Sequence, residues 1–144
     1  MEFNLQPKLG TAISKCTIPE EDIISCCERI RFEPAYHTLS TLCKYGDIVI
    51  GDCHILGFNS KSDESSEFMI EGATKYAQSK GLPDGYIVVR RLALPHCGSY
   101  GAIVMDKYSD LYVYMFRNQE LRDMEKSLSE YIIESFSIWI HKHF

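Results

Sequence analysis

Residues 45–58 read YGDIVIGDCHILGF, and residues 81–89 read GLPDGYIVV. Both stretches hold short apolar runs bounded by glycine, aspartate or proline, a pattern typical of strands joined by tight turns. Between them, the chain is polar and acidic over 59–67 and then repeats apolar side chains at helical spacing over 68–80. We therefore expect a loop and one inserted helix between strands of a sheet. The predicted strands are 48–50, 54–58 and 86–89, and the first two are joined by a turn at 51–52.

Two helices are predicted before these strands. The first begins at Thr17-Ile18-Pro19-Glu20, which combines a capping threonine, a glutamate three residues later and a proline in the first turn. The second is predicted to run from Pro34 to a glycine stop at Tyr45-Gly46. Helical spacing gives each helix one apolar face, with Ile23, Cys26, Cys27 and Ile30 on the first and Tyr36, Leu39, Leu42 and Cys43 on the second. Residues 1–16 are predicted to be either a loose arm or an added strand.

The remaining chain predicts a loop, two strands and a last helix. The loop covers 92–101, and the strands at 102–106 and 111–116 are separated by the turn residues Ser109-Asp110. A capping box, Ser127-Leu128-Ser129-Glu130, begins the helix. Its apolar face comprises Tyr131, Ile132, Phe136, Trp139 and Ile140. The order of elements predicts an α+β fold with a mostly antiparallel twisted sheet, helices at both ends of the chain and one inserted helix. We divide the chain into an N-terminal arm, 1–16, and a single domain, 17–144.

Composition narrows the class of protein and its expected location. With 144 residues the chain suits one domain with one core. Its formal net charge of -5 argues against a phosphate-tracking basic surface and mildly favours a basic partner. The N-terminus does not resemble a signal peptide, and no apolar run reaches the ~20 residues that cross a bilayer. The six cysteines include no CxxC pair and are expected to be reduced thiols used as small core residues. We predict a cytoplasmic protein.

The candidate catalytic and metal-binding residues form no familiar motif. His54 adjoins Cys53 and His96 adjoins Cys97, but neighbours on a strand point to opposite faces and cannot chelate one ion. Two clusters of closely spaced ligands, as in most zinc sites, do not occur. The segment 98–101 (GSYG) lacks flanking Lys or Arg and a following helix, so we predict a turn rather than a phosphate loop. We expect no catalytic residue, no metal and no cofactor. A hydrolase that uses His96, Cys97 or a carboxylate pair remains an alternative.

Several short motifs occur in an order that resembles one family over roughly residues 19–140. They are Pro34-Ala35-Tyr36, Tyr45-Gly46, Ile55-Leu56-Gly57, the strand entry at 81–89, Val104-Met105-Asp106, Tyr112-Val113-Tyr114 and Ser135-Phe136. The family is the SUKH superfamily, a group of bacterial immunity proteins with a related branch of fungal cell-wall-synthesis regulators. The order of the motifs carries the resemblance more than any one of them. Residues 1–16 have no counterpart in the family pattern.

The resemblance implies a small α+β protein, not an enzyme, that neutralises a cognate protein toxin, often a nuclease, by binding it. We expect the contact to use an acidic segment (Asp63, Glu64, Glu67) together with Asp106, Asp110 and Tyr112, because acidic residues suit the basic substrate channels of nucleases. The alternative, suggested by the fungal branch, is a regulatory scaffold that binds a host or cell-envelope partner. We expect a monomer or weak homodimer that binds neither nucleic acid nor membrane directly.

Overall fold

The secondary structure follows the predicted α+β order, with one more strand at each end of the series. A computed structural model describes residues 11–15, 18–58, 68–96 and 98–143. Its helices are α1 (Glu20–Arg29), α2 (Tyr36–Lys44), α3 (Ile70–Ser79) and α4 (Leu128–His143). Its strands are β1 (Thr11–Lys15), β2 (Tyr45–Ile50), β3 (Cys53–Ile55), β4 (Ile87–Leu94), β5 (Gly98–Met105), β6 (Asp110–Met115) and β7 (Glu120–Ser127).

The strands form two antiparallel sheets, and a hydrogen bond just after β3 links them. The first sheet has the order β1-β2-β3, and the second is a meander with the order β4-β5-β6-β7. The Leu56 N–H, just after β3, donates to the Val89 carbonyl of β4 at 2.8 Å. The predicted fold class, α+β with an antiparallel sheet, helices towards both ends and one inserted helix, is confirmed. For residues 11–15, the added strand is the alternative that the structure shows, since β1 pairs with β2.

The core lies between the sheets and the apolar faces of the helices. The predicted face of α1 is confirmed, because Ile23, Cys26, Cys27 and Ile30 are all buried. Burial raises the pKa of both thiols on this face to about 12, so they stay protonated and pack as small apolar groups. The inserted helix α3 likewise buries Ile70, Ala73 and Ala77, which repeat at helical spacing. Burial of each isoleucine in these faces, Ile23, Ile30 and Ile70, contributes roughly 1.5–3 kcal/mol relative to its exposed state.

The starts and ends of the first two helices differ from the prediction. Pro19 precedes α1 rather than lying in its first turn, and its carbonyl accepts the N–H groups of Asp22 and Ile23. Thr17, the predicted cap, lies outside the described residues. α2 begins at Tyr36, whose side chain is 86% exposed and therefore not part of an apolar face. The pair Tyr45-Gly46 opens β2 instead of ending α2, because backbone pairing with β1 extends to Tyr45.

One predicted loop is part of a strand hairpin, and one strand has no counterpart in the prediction. Residues 92–101 belong largely to the long β4–β5 hairpin, in which Leu94 pairs with Gly98 and Leu92 with Gly101. The segment 98–101 is accordingly the start of β5 and not a turn. β7 was not expected, since its sequence, ELRDMEKS, has no apolar alternation. As the last strand of its sheet, β7 needs only one paired edge and tolerates charged side chains.

Candidate partner-binding surface

The turn between β5 and β6 is built around the carboxylate of Asp106. Oδ1 accepts the backbone N–H groups of Tyr108 (2.9 Å) and Asp110 (3.0 Å), and Oδ2 accepts the Tyr112 hydroxyl (3.0 Å). This is the local side chain–backbone bonding for which aspartate is favoured in turns. The turn also needs a positive φ, which Ser109 supplies at 73°. Asp106 therefore orders the turn, and its direct contact with a partner stays a prediction.

The N-terminal end of α2 holds the same turn from the other side. The Lys107 carbonyl accepts the Ala35 N–H (2.9 Å) and the Thr38 hydroxyl (2.6 Å), and the Thr38 and Ser109 hydroxyls lie 2.8 Å apart. Thr38 is fully buried, so these bonds are protected from water. His37 Nε2 donates to the Tyr108 carbonyl at 3.1 Å. The turn is thus fixed to the helix by side chains that are distant in sequence.

Two exposed tyrosines lie in this region, one in the turn and one at the start of the helix that is bonded to it. Tyr36, the first residue of α2, is 86% exposed, and Tyr108, in the turn itself, is 55% exposed. The hydrogen bonds around Lys107 and Tyr108 bring the chain segments that carry these two side chains together. Exposed tyrosines on ordered backbone are frequent anchors of protein interfaces, because they offer a large apolar area and a polar tip at low entropic cost.

Acidic side chains gather around Asp110, two residues after Tyr108. Asp110 begins β6, Asp123 lies on the paired strand β7 opposite Tyr112, and Glu130 lies in the first turn of α4. Burial raises the pKa of Asp110, and the repulsion from Asp106, Asp123 and Glu130 raises it further, with His37 acting in the opposite direction. Like charges are therefore concentrated here at an electrostatic cost. We call Tyr36, Tyr108, Asp110, Asp123 and Glu130 the turn surface.

Tyr112 is partly buried and bonded within the turn, and its direct contact with a partner stays a prediction. Its ring is partly buried against Tyr86, with ring centroids 5.5 Å apart in an edge-to-face arrangement. Burial, followed by the bond to Asp106, raises the pKa of its hydroxyl to about 12. The hydroxyl is therefore a neutral donor that supports Asp106.

The structure brings half of the predicted contact residues together. Asp106, Asp110 and Tyr112 meet within one hydrogen-bonded turn, whereas Asp63, Glu64 and Glu67 lie outside the described residues. Tyr36, Tyr108, Asp123 and Glu130 are not among the residues predicted to contact a partner. The helical spacing places Tyr36 on an apolar face, and the sequence of β7, which carries Asp123, gives no strand signal. The sequence signal at Glu130 is that of a capping box.

The described residues offer no assembled site in support of the hydrolase alternative. His96 is exposed in the β4–β5 turn with a φ of 66°, and Cys97, its proposed partner, lies outside the described part. Within the described ranges, no three His, Cys, Asp or Glu side chains are placed to hold one metal ion. In the same ranges, none of the helices has the length and apolar character needed to cross a membrane.

Comparison with known proteins assigns no family to the chain. No protein-family model matches it, and a search of curated proteins gives no match. The resemblance to the SUKH superfamily therefore rests on the order of motifs described above, and the function is argued from the turn surface.

Proposed function

We propose that this chain is a cytoplasmic immunity protein that binds and neutralises a cognate bacterial toxin, with a nuclease as the expected target. The observation that carries the proposal is the turn surface, which combines two exposed tyrosines, on segments that Asp106 and Thr38 hold together, with a group of carboxylates around Asp110. The resemblance to immunity proteins supports the same conclusion. No catalytic role is assigned to the chain.

The electrostatics of the turn surface favour a cationic partner. In the free protein, the carboxylates near Asp110 repel one another and raise its pKa. A lysine or arginine brought between them would turn that repulsion into attraction, so part of the binding energy comes from relief of a cost already present. A nuclease must present cations to a phosphate backbone. An acidic surface that covers those cations would exclude the substrate and would also speed the encounter.

Binding to the product of the adjacent open reading frame tests the proposal. We expect the two proteins to co-purify and the toxicity of the neighbour to be lost on co-expression. The charge reversal Asp110→Lys and the truncation Tyr108→Ala should each weaken the complex at least about tenfold. Glu120→Lys is the matched control, because Glu120 is exposed and lies at the opposite end of the β6–β7 pair, about 17 Å from Asp110.

The control should leave affinity within about twofold. A neighbour that is not toxic and does not bind would overturn the immunity function. A toxic neighbour whose affinity is equally unaffected by Asp110→Lys and Glu120→Lys would overturn the role of the turn surface.

A further inference from the structure

A cavity lies between the β2–β3 turn and α4, away from the turn surface. It has a volume of about 530 Å³ and is lined among others by Asp52, Arg90, Ser135, Trp139, Lys142 and His143. Lys142 is 12 residues along α4 from Glu130, so about 18 Å separates the two positions along the helix. The volume falls within the range of roughly 300–1,000 Å³ that is usual for small-molecule sites.

Arg90 is the feature of this cavity that indicates a ligand. Its side chain is half-buried on β4, where the Nη1 group donates to the Tyr131 hydroxyl. Within the described residues, no carboxylate forms an ion pair with it. Burial opposes the charge of this guanidinium, but the nearby Cys53 and Tyr131 more than offset it, so the pKa of Arg90 is raised and the group stays a cation. A half-buried cation without a carboxylate partner can still bind an oxyanion through its paired donors.

Other side chains complete a polar lining of mixed character. Lys142 is exposed at the rim, and within the described part of the chain it has no acidic partner. His143 Nδ1 donates to the Trp139 carbonyl at 2.8 Å and its ring stacks on Trp139, which leaves Nε2 for a ligand. Asp52 offers a carboxylate that accepts hydrogen bonds from hydroxyl groups. An oxyanion bound by Arg90 and Lys142 and a hydroxyl bound by Asp52 would use both the cations and the carboxylate of the lining.

We propose that this cavity binds a small phosphorylated molecule of sugar-phosphate or mononucleotide size. Arg90 and Lys142 hold the phosphate, since guanidinium presents paired donors and ammonium a point charge. Asp52 accepts a sugar hydroxyl, and Ser135 provides a further polar contact. The site is separate from the turn surface and does not depend on the toxin-binding function.

The single tryptophan of the chain reports on this site directly. Trp139 lines the cavity and is 5% exposed, so a bound ligand should change its emission. We expect ribose 5-phosphate to give a saturable fluorescence change below about 1 mM at constant ionic strength, and AMP to give matching heat in calorimetry. Ribose and adenosine, which lack the phosphate, should give neither signal. If AMP binds and ribose 5-phosphate does not, or the reverse, the source of the phosphate is identified as nucleotide or sugar.

Two substitutions with the same charge change give the control. Lys142→Glu should weaken binding at least tenfold, whereas Arg117→Glu, in the exposed β6–β7 turn, should leave it unchanged. Arg90→Met should abolish binding, with the retained fold checked by circular dichroism because Arg90 also contacts Tyr131. If neither AMP nor ribose 5-phosphate gave saturable binding below about 1 mM, the proposal would be overturned. Equal losses in Lys142→Glu and Arg117→Glu, or binding of an oligonucleotide without binding of AMP, would also overturn it.

Discussion

The buried carboxylate of Glu71 on α3 is paired with the guanidinium of Arg29 on α1. Nη2 of Arg29 lies 2.9 Å from Oε1, and Nε lies 3.2 and 3.1 Å from Oε1 and Oε2. The Glu71 side chain is only 5% exposed, whereas that of Arg29 is 35% exposed. The Cys26 thiol also donates to Oε1 at 3.6 Å. This ion pair therefore links α1 and α3, although Arg29 and Glu71 are more than 40 residues apart in sequence.

Removal of Arg29 should be costly because the buried Glu71 charge then lacks the bidentate bonds of the guanidinium. We expect Arg29→Met to lower the free energy of unfolding by about 2–4 kcal/mol in urea, less than for a fully buried pair because Arg29 reaches solvent. The double variant Arg29→Met, Glu71→Leu should recover much of this loss, since replacement of both residues by apolar groups removes the buried charge.

Arg31 provides the matched control for Arg29. It pairs with Asp84 at 3.1 Å, but both side chains are largely exposed, at 77% and 55%. Arg31→Met should therefore change the free energy of unfolding by no more than about 0.5 kcal/mol. Equal losses in the two single variants would show that Glu71 does not depend on Arg29.

The elements that the sequence predicted well are those whose stabilising residues are neighbours. The hairpin of β2 and β3 is confirmed, with Ile50 paired with Cys53 across the Gly51-Asp52 turn. The capping box at α4 is also confirmed, as the Ser127 N–H donates to Glu130 and the Glu130 N–H donates to Ser127. In both cases the deciding contacts span a few residues, so local spacing contains the information.

The elements that it missed depend on partners that are remote in sequence. β4 continues through Arg90 and Arg91 because β5 supplies its hydrogen bonds, although two adjacent arginines give no strand signal. The sequence around Glu71 does not predict that this residue is buried, because its partner Arg29 is 42 residues away. The turn surface likewise needs the bond between Thr38 and Lys107, 69 residues apart. These features depend on tertiary contacts, which cannot be predicted from the spacing of residues along the chain.

Gly81 should be intolerant of a side chain for two separable reasons. Its φ is +102°, and an added Cβ would lie 2.8 Å from the Tyr114 hydroxyl and 2.6 Å from Gln119 Nε2. Both groups donate to the Lys80 carbonyl at 3.0 Å. Gln119 is exposed and can move, but Tyr114 is buried, so its hydrogen bond would have to lengthen. We expect Gly81→Ala to cost about 2–4 kcal/mol of unfolding free energy.

Gly85 separates the effect of backbone conformation from that of close contact. Its φ of +96° is similar, but a Cβ there would meet nothing within 4 Å. Gly85→Ala should therefore cost only the conformational strain, about 1–2 kcal/mol. Thermal and urea unfolding of both variants would measure the difference. If the two losses were the same, the contact with Tyr114 would have no energetic role.

Thr38 should stabilise both the fold and the turn surface. Thr38→Val keeps the shape of the side chain but removes the bonds to the Lys107 carbonyl and the Ser109 hydroxyl. We expect a loss of about 1–3 kcal/mol, because the Ser109 hydroxyl is left buried without this partner. Thr41→Val is the control, since the Thr41 hydroxyl only bonds back to the His37 carbonyl of its own helix. It should change stability by less than about 0.5 kcal/mol. Similar losses in both would contradict a special role for Thr38.

Asp110 should lower the stability of the free protein while it serves binding. Because its pKa is raised in the folded state, the folded protein resists ionisation of this group more than the unfolded chain does. The cost is absent below the ordinary aspartate pKa of about 3.9, appears as pH rises towards the raised value, and is constant above it. Asp110→Asn should therefore stabilise the protein at pH 7, by no more than about 0.5 kcal/mol given the exposure of Asp110, and should have no such effect below about pH 3.5.

Urea unfolding from pH 3 to 7 would measure this pH dependence of the effect of Asp110→Asn, with Glu120→Gln as the control for loss of one exposed charge. A gain that shrinks as pH rises would contradict the sign. If the immunity function is correct, the same substitution weakens toxin binding, so that stability and affinity change in opposite directions at one residue.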